Sequence, residues 1–541
     1  MRRWIASHPK TIALLIFCAW MLPGLIGHDP WKPDEGYSFG LVNHILRTGD
    51  WVVPTLAGEP FMEKPPIFYI VAALFAKIAS PFLAPHDGAR LASAFFVGLA
   101  ALFTARASAA LLPSRPVWVA PLLLIGSLGL TTHAHQLITD NALLCGFAVA
   151  IYGLALALRW PLAGGFWLGT GAGLGFMAKG LLAPGIIGIA VLLLPVCYGQ
   201  WRTRRYFNAL CIAVLAASPW LAIWPAALYL RSPQLFIDWF WTNNFGRFFG
   251  FAHLGPPAPP YVYPKLLGWF ALPALPFALR ALWVRRRELR SDAGLQIATP
   301  AFAAMFAVLS AASDARELYA MPLLLPLALL GVSGLENLPP VVTRMFHWLT
   351  VVLFTALALA VWACWLAVDL GFPAQLSALL QQKQPLYVPH VRVWLVAIAI
   401  ALSAAWLTLI AGTTGPYRPA MIWAGGVATA WGLLGTLMVS WVDTGMSYRG
   451  MLQQMARALP ADHGCIATNS IGESQRAIFE YFAGIVTDRQ ANASARKDCE
   501  LLLVQTLEQP APSPGESWTL FWDGARPGDY HERFWLYRKK P

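Results

Sequence analysis

The residues best suited to chemistry lie in short polar stretches between long apolar runs. Trp31-Lys32-Pro33-Asp34-Glu35-Gly36-Tyr37 sets two adjacent carboxylates near a tyrosine, and Glu63-Lys64-Pro65-Pro66 follows in the same polar stretch. Moving a group from a phosphate to a hydroxyl needs such a pairing. A carboxylate takes the hydroxyl proton, and a fixed cation holds the departing phosphate. Adjacent acids at a helix start also have an ordinary reading, because Asp caps helices and acids suit the positive end of the dipole. Asp140, in Thr139-Asp140-Asn141, opens an apolar run and divides evenly between a helix cap and a site residue. Lys179 ends another run, where a lysine can simply reach back to the membrane interface. Arg247 and His253 stand among Phe245, Phe248, Phe249 and Phe251. Aromatic belts at a bilayer boundary account for the phenylalanines but not for the two basic residues. Glu63 and His253 together offer two ligands for a divalent metal, a sparse set from distant loops. The transfer requires no cofactor, since side-chain cations can stabilise the leaving phosphate.

These stretches are set in a chain of 541 residues, 57% hydrophobic and 12% charged. That charged share is about half that of soluble proteins. Apolar runs long enough to cross a bilayer, roughly 20 helical residues each, recur from Thr11 almost to Val442. The net charge of +12 sits in short clusters between runs. This distribution argues against nucleic acid and for the positive-inside rule and an anionic lipid surface. The run from Thr11 to Gly27 follows Arg2, Arg3 and Lys10 like a signal peptide, but it is long and has no small-residue cleavage site. It therefore reads as an uncleaved first span with a cytoplasmic N-terminus.

Charge parity orders the rest. Arg115, Arg159, the basic run 201–205, the run 285–287, Arg344 and Arg418 all face the cytoplasm only if the apolar stretch Pro66 to Leu83 does not cross. That stretch is then a helix lying on the membrane surface. About thirteen spans result: 11–27, 89–112, 117–133, 141–158, 165–179, 181–198, 208–228, 264–284, 296–313, 319–333, 346–368, 391–413 and 419–442. Loops 28–88, 134–140, 229–263, 314–318 and 369–390 lie outside, together with the tail. The expected fold is an all-α polytopic membrane protein, residues 1–442, with a small α/β domain outside the cytoplasm, residues 443–541. In that domain a helix is expected around Glu473 to Gly484 and a strand at Leu501 to Thr506. Five cysteines lie in apolar runs as packing residues; Cys465 and Cys499 are either a disulfide or two small buried thiols.

The motifs together resemble one family. An Asp-Glu after the first span, Gly49-Asp50-Trp51, Glu63-Lys64-Pro65-Pro66, Thr139-Asp140-Asn141, Ala178-Lys179-Gly180 and Leu318-Tyr319-Ala320-Met321-Pro322 occur in the order seen in the bacterial protein O-mannosyltransferase and lipid A aminoarabinose transferase superfamily. These are GT-C glycosyltransferases that use polyprenyl-phosphate sugars. The resemblance implies Asp34 as the base and Lys64 as the phosphate clamp. It implies Asp140 as a second catalytic acid that binds sugar or acceptor, or orients groups around Asp34. Glu35, Tyr37, Lys179, Arg247, Arg316 and Tyr319 then contact substrate, under a basic aromatic loop that includes His253. It also implies an undecaprenyl-phosphate donor and an acceptor such as lipid A, another glycolipid or a polysaccharide, at the outer face of a bacterial inner membrane. Two departures weigh against assigning aminoarabinose itself: Tyr37 and Ser38 replace the usual Arg and Tyr, and Arg316 with Asp314 replaces the usual Lys spacing. The alternatives are a protein O-glycosyltransferase of the same fold and a lipid flippase or transporter. A transporter is expected to place its site near the bilayer midplane and often to show internal repeats, and none is visible here. A purely structural subunit leaves the Asp-Glu and Glu-Lys-Pro-Pro coincidence unexplained.

Overall fold

The computed structural model describes residues 7–252, 259, 261–460, 464–468, 470–489, 499–507 and 514–540. It is mostly helical, with a small C-terminal sheet. Among the described residues eight helices are long and apolar enough to cross a membrane: Pro85–Leu111, Asp140–Ala157, Arg204–Arg231, Ala293–Ala311, Glu317–Gly334, Pro340–Leu370, Val393–Gly412 and Arg418–Ala458. Val262–Phe270 and Ala274–Val284 make a ninth if counted as one span, bent by 99°. The polytopic helical architecture is as expected, whereas a count of thirteen crossings is not reached by length and composition. The difference lies in helices that are short, broken or glycine-rich: Pro9–Met21, Leu182–Cys197, the pair Val119–Ile125 and Leu128–Ala134, and Pro161–Lys179.

Two of the breaks satisfy each other. The chain turns at Ser127 and again at Pro273, and the Leu128 N–H donates to the Leu272 carbonyl at 3.0 Å. In a bilayer, backbone groups freed by a broken helix need such a partner. Gly129 permits the contact, since a Cβ there would lie 2.0 Å from the Phe270 ring.

Pro161–Lys179 carries six glycines, which let it approach its neighbours backbone to backbone. A Cβ at Gly146 would come within 2.7 Å of Gly175 N, and one at Gly169 within 2.1 Å of Ala213 O. Small residues drive this kind of close helix packing in membranes. Because Asp140–Ala157 and Pro161–Lys179 run antiparallel, the start of one and the end of the other meet. Asp140 and Lys179 are thereby brought together.

Ile67–Ala79 has 13 residues, short of the roughly 20 of a full helical crossing. It buries Phe68, Tyr69, Ala72, Ala73 and Ala76 on one face. The C-terminal unit holds a five-stranded sheet in the order Thr487–Arg489, Ile466–Thr468, Leu501–Thr506, Asp529–Lys539, Trp518–Arg526. The first two pairings are parallel and the others antiparallel. Its helix Glu473–Ala483 packs on Asp34–Thr48, where a Cβ at Gly36 would fall 2.2 Å from Ser474 Oγ. Arg476 donates to Glu59 at 2.9 Å and Lys32 to Glu532 at 2.7 Å, so the sheet unit braces the first polar loop. Cys465 and Cys499 are joined as a disulfide, with Cα atoms 5.0 Å apart.

Candidate active site

Asp34 is the first residue of helix Asp34–Thr48, yet it does not cap it. Its carboxylate is held by Arg316, with Nη1 to Oδ1 at 2.8 Å and Nη2 to Oδ2 at 2.5 Å. Tyr37, one turn along, donates to Oδ1 at 3.1 Å. Three of about four carboxylate acceptor positions are therefore taken, and the free one is on Oδ2. Burial alone would raise the Asp34 carboxyl. The Arg316 hydrogen bonds and charge, with the charge of Lys64, outweigh it and hold it below the usual carboxylate range.

Lys64 connects this pair to a cavity. Its ammonium donates to the Tyr37 hydroxyl at 2.7 Å. Burial works against the Lys64 charge, but the surrounding Tyr69, Asp140 and Glu63 raise it above the ordinary lysine value. Burial, then the charges of Asp34 and Glu63, push the Tyr37 phenol well up, so it stays protonated and can both donate and accept. Tyr37 thus bridges the carboxylate and the lysine.

The cavity measures about 330 Å³. At one end stand Lys64, Lys179, Arg247, Glu63, Asp314 and Tyr319; along its sides run Leu182, Ile186 and Ile189 from Leu182–Cys197, Val308 and Leu309 from Ala293–Ala311, and Phe245, Phe248 and Phe249. Lys179 is hydrogen-bonded to Asp140 Oδ1 and lies over the Tyr319 ring, 3.6 Å from its centroid. Asp140 Oδ2 is buried without a hydrogen-bond partner, and Asp140 does not cap its helix. The helix carrying Lys179 ends at Gly180, whose φ of +67° and 2.3 Å Cβ approach to Asn244 Oδ1 both require glycine. Asn244 Oδ1 accepts the Leu181 N–H at 3.1 Å and fixes that turn.

Arg247 follows a wide-turned π-helix, Asp238–Gly246. Its Nε donates to Asp314 Oδ2 at 2.9 Å, Nη1 to Glu63 Oε2 at 3.1 Å and Nη2 to the Tyr319 hydroxyl at 3.3 Å. Burial opposes its charge, and Tyr319, Glu63 and Asp314 more than offset that. Ser313 ties the two loops, donating from Oγ to the Arg247 carbonyl at 2.6 Å and from N to the Phe248 carbonyl at 3.2 Å.

The structure therefore gathers Asp34, Tyr37, Lys64, Asp140, Arg247 and Arg316 from four loops that the parity argument puts outside, with Lys179 and Tyr319 from the ends of two spans next to them. Arg316 meets the carboxylate of Asp34 and does not line the cavity. Glu35 is placed elsewhere: 3% exposed, it accepts from Arg90 Nε at 2.8 Å and from Leu137 N at 3.0 Å, and has no face toward the cavity. Sequence reasoning missed this buried pair, although an arginine inside an apolar run signals a partner. It also missed the anchoring role of Asp314 and the Asn243–Asn244 turn, for which linear spacing holds no cue. Glu63 faces a guanidinium, which disfavours a second cation there, and His253 lies outside the described residues. Among the described residues the one cluster with metal-ligand composition is Cys465, Asp488 and Cys499, whose sulfurs are bonded to each other and so supply no thiolate.

No family model matches the chain. The chain is 28% identical over 439 residues, 76% of its length and 75% of the relative's, to an undecaprenyl phosphate-alpha-4-amino-4-deoxy-L-arabinose arabinosyl transferase of Pectobacterium carotovorum. It is 31% identical over 333 residues, 59% of its length and 57% of the relative's, to the corresponding transferase of Sodalis glossinidius. Its fold is similar to the crystal structure of ArnT from Cupriavidus metallidurans bound to undecaprenyl phosphate, with a TM-score of 0.69, 15% identity and coverage of 99% and 98% of the two chains. Helical architecture, cationic cavity and curated relatives agree on a membrane glycosyltransferase of the GT-C type. The chain is thus similar in sequence to the aminoarabinose transferases and in fold to ArnT.

Proposed function

We propose that this enzyme transfers a sugar from an undecaprenyl-phosphate-linked donor to an acceptor at the outer face of the cytoplasmic membrane: lipid A, another glycolipid or a polysaccharide. One observation carries the reading: the cavity gathers three basic side chains, each held by a polar partner, at one end and is apolar along its sides, with Ile189 and Phe249 exposed at its rim. A phosphate on a long isoprenoid matches both halves, the tail leaving sideways into lipid. The names of the curated relatives support the same donor class.

In this reading Lys64 and Arg247 hold the donor phosphate and Lys179 adds charge. The acceptor hydroxyl donates to the free position on Asp34 Oδ2. As its oxygen attacks the anomeric carbon, Asp34 takes the proton, and the electron pair of the breaking carbon–oxygen bond goes to the phosphate, stabilised by the cations. The family implies inversion at that carbon. A cytoplasmic N-terminus, with residues 443–541 as an outer domain, puts the site on the donor's face and the Cys465–Cys499 disulfide in an oxidising compartment.

Asp34→Asn tests the assignment. The variant is expected to fold and insert normally, to bind the donor, and to lose transfer from polyprenyl-phosphate sugar by at least about a hundredfold. Native turnover by the asparagine variant sinks Asp34 as the base.

A further inference from the structure

The phosphate end of the cavity is electrically balanced by the protein itself. Lys64, Lys179 and Arg247 supply three positive charges; Glu63, Asp140 and Asp314 supply three negative ones around them. Arg247 shows the consequence most directly. One edge of its guanidinium is taken by Asp314 Oδ2, which lies 2.9 Å from Nε and 2.8 Å from Nη2, and Nη1 is taken by Glu63 Oε2 at 3.1 Å. Any phosphate reaching this arginine must share it with carboxylates already bound, and feels their repulsion.

That repulsion does not act equally on substrate and product. Resting on the donor class proposed above, the donor is a phosphodiester with one negative charge. The lipid product is a phosphomonoester, whose second ionisation near pH 6 gives it about −1.5 to −2 at pH 7. A clamp of bare cations would hold the product more tightly than the donor and stall turnover. A fixed carboxylate penalises each ligand in proportion to its charge, so its effect on the product is about twice, in free energy, its effect on the donor.

We propose that Glu63 is a specificity-determining residue that competes for Arg247 and selects the phosphodiester donor over the phosphomonoester product, hastening product release. Glu63 suits the task because its side chain is a quarter exposed, at the mouth of the network. It can withdraw from Arg247 without leaving a buried charge unsolvated. Asp314, 8% exposed at its side chain, is the fixed member of the pair.

The test is equilibrium binding of two lipids to the purified full chain: undecaprenyl phosphate, and its methyl ester, which carries a single charge. Glu63→Gln is expected to tighten undecaprenyl phosphate about tenfold and the methyl ester only about threefold, since the energies scale with ligand charge. It should also lower kcat while lowering the donor KM, the split expected when product release slows. Asp314→Asn removes the second carboxylate and should move the two lipids in the same unequal ratio, which guards against misfolding of either variant alone. Equal changes for both lipids, or weaker monoester binding in Glu63→Gln, overturns the role of Glu63 while leaving the donor class standing. Failure of the native chain to bind either lipid overturns the donor class itself.

Discussion

Arg316→Gln separates the proposed base from its partner and gives a result with a definite sign. Two unit charges about 4 Å apart at an effective dielectric of about 20 interact by roughly 4 kcal/mol. The Arg316 side chain is 25% exposed, so solvent screening reduces this to about 1–2 kcal/mol. In the native chain the Asp34 carboxyl lies below its ordinary value, so the ion pair stabilises fully above the unfolded pKa and is lost as pH falls through the folded one. Without Arg316 the burial that opposes ionisation prevails, and the carboxyl rises. The acidic limb of kcat/KM for sugar transfer should then move up in pH, with activity lost first at pH 5 and retained best near pH 8. The assay is transfer in proteoliposomes across pH 5–8. A uniform drop at every pH, with the limb in place, refutes the pairing as the source of the Asp34 shift.

Lys64→Ala removes a charged hydrogen-bond donor from the phosphate end, which corresponds to about 1.5–3 kcal/mol and a rise in donor KM of about ten- to a hundredfold. An unchanged KM takes Lys64 out of the clamp. Single cysteines at Gln234 and Arg287 test the orientation: the first should react with an impermeant maleimide on intact cells, the second only after permeabilisation. The opposite pattern overturns the outer-face placement of every residue named here.

The membrane class, the resemblance and the roster of polar residues were legible because apolar length and charge parity are local properties of the chain. Asp34, Lys64, Asp140 and Lys179 stood out as charges at the ends of apolar runs. Their pairing did not, because it depends on the glycine contacts that set Pro161–Lys179 against Asp140–Ala157 and on the Ser313 bonds joining two loops. Arg316 illustrates the limit: its type suggested a phosphate contact, while its position on Asp34 comes from a juxtaposition 282 residues apart in sequence. The run 264–284 shows the same limit for the fold. Its hydropathy reads as one span, yet the chain bends by 99° between Phe270 and Ala274, where the Leu272 carbonyl accepts from Leu128 of another broken helix.

The pairing of Lys179, Arg247 and Arg316 with carboxylates follows from where the site sits. Partly buried charges at a membrane boundary are costly unless compensated, so a clamp assembled from Lys64, Lys179 and Arg247 alone would be unstable before its ligand arrived. Carboxylates that neutralise the clamp when it is empty must compete with phosphate when it fills. In this chain the compensation is distributed: Asp140 neutralises Lys179, Glu63 and Asp314 share Arg247, and Tyr37 joins Lys64 to the Asp34–Arg316 pair. In the reading proposed above, a phosphate held by Lys64 competes with the Tyr37 hydroxyl for the ammonium and adds negative charge near Asp34. Donor binding and base strength are, in that reading, coupled through the phenol of Tyr37.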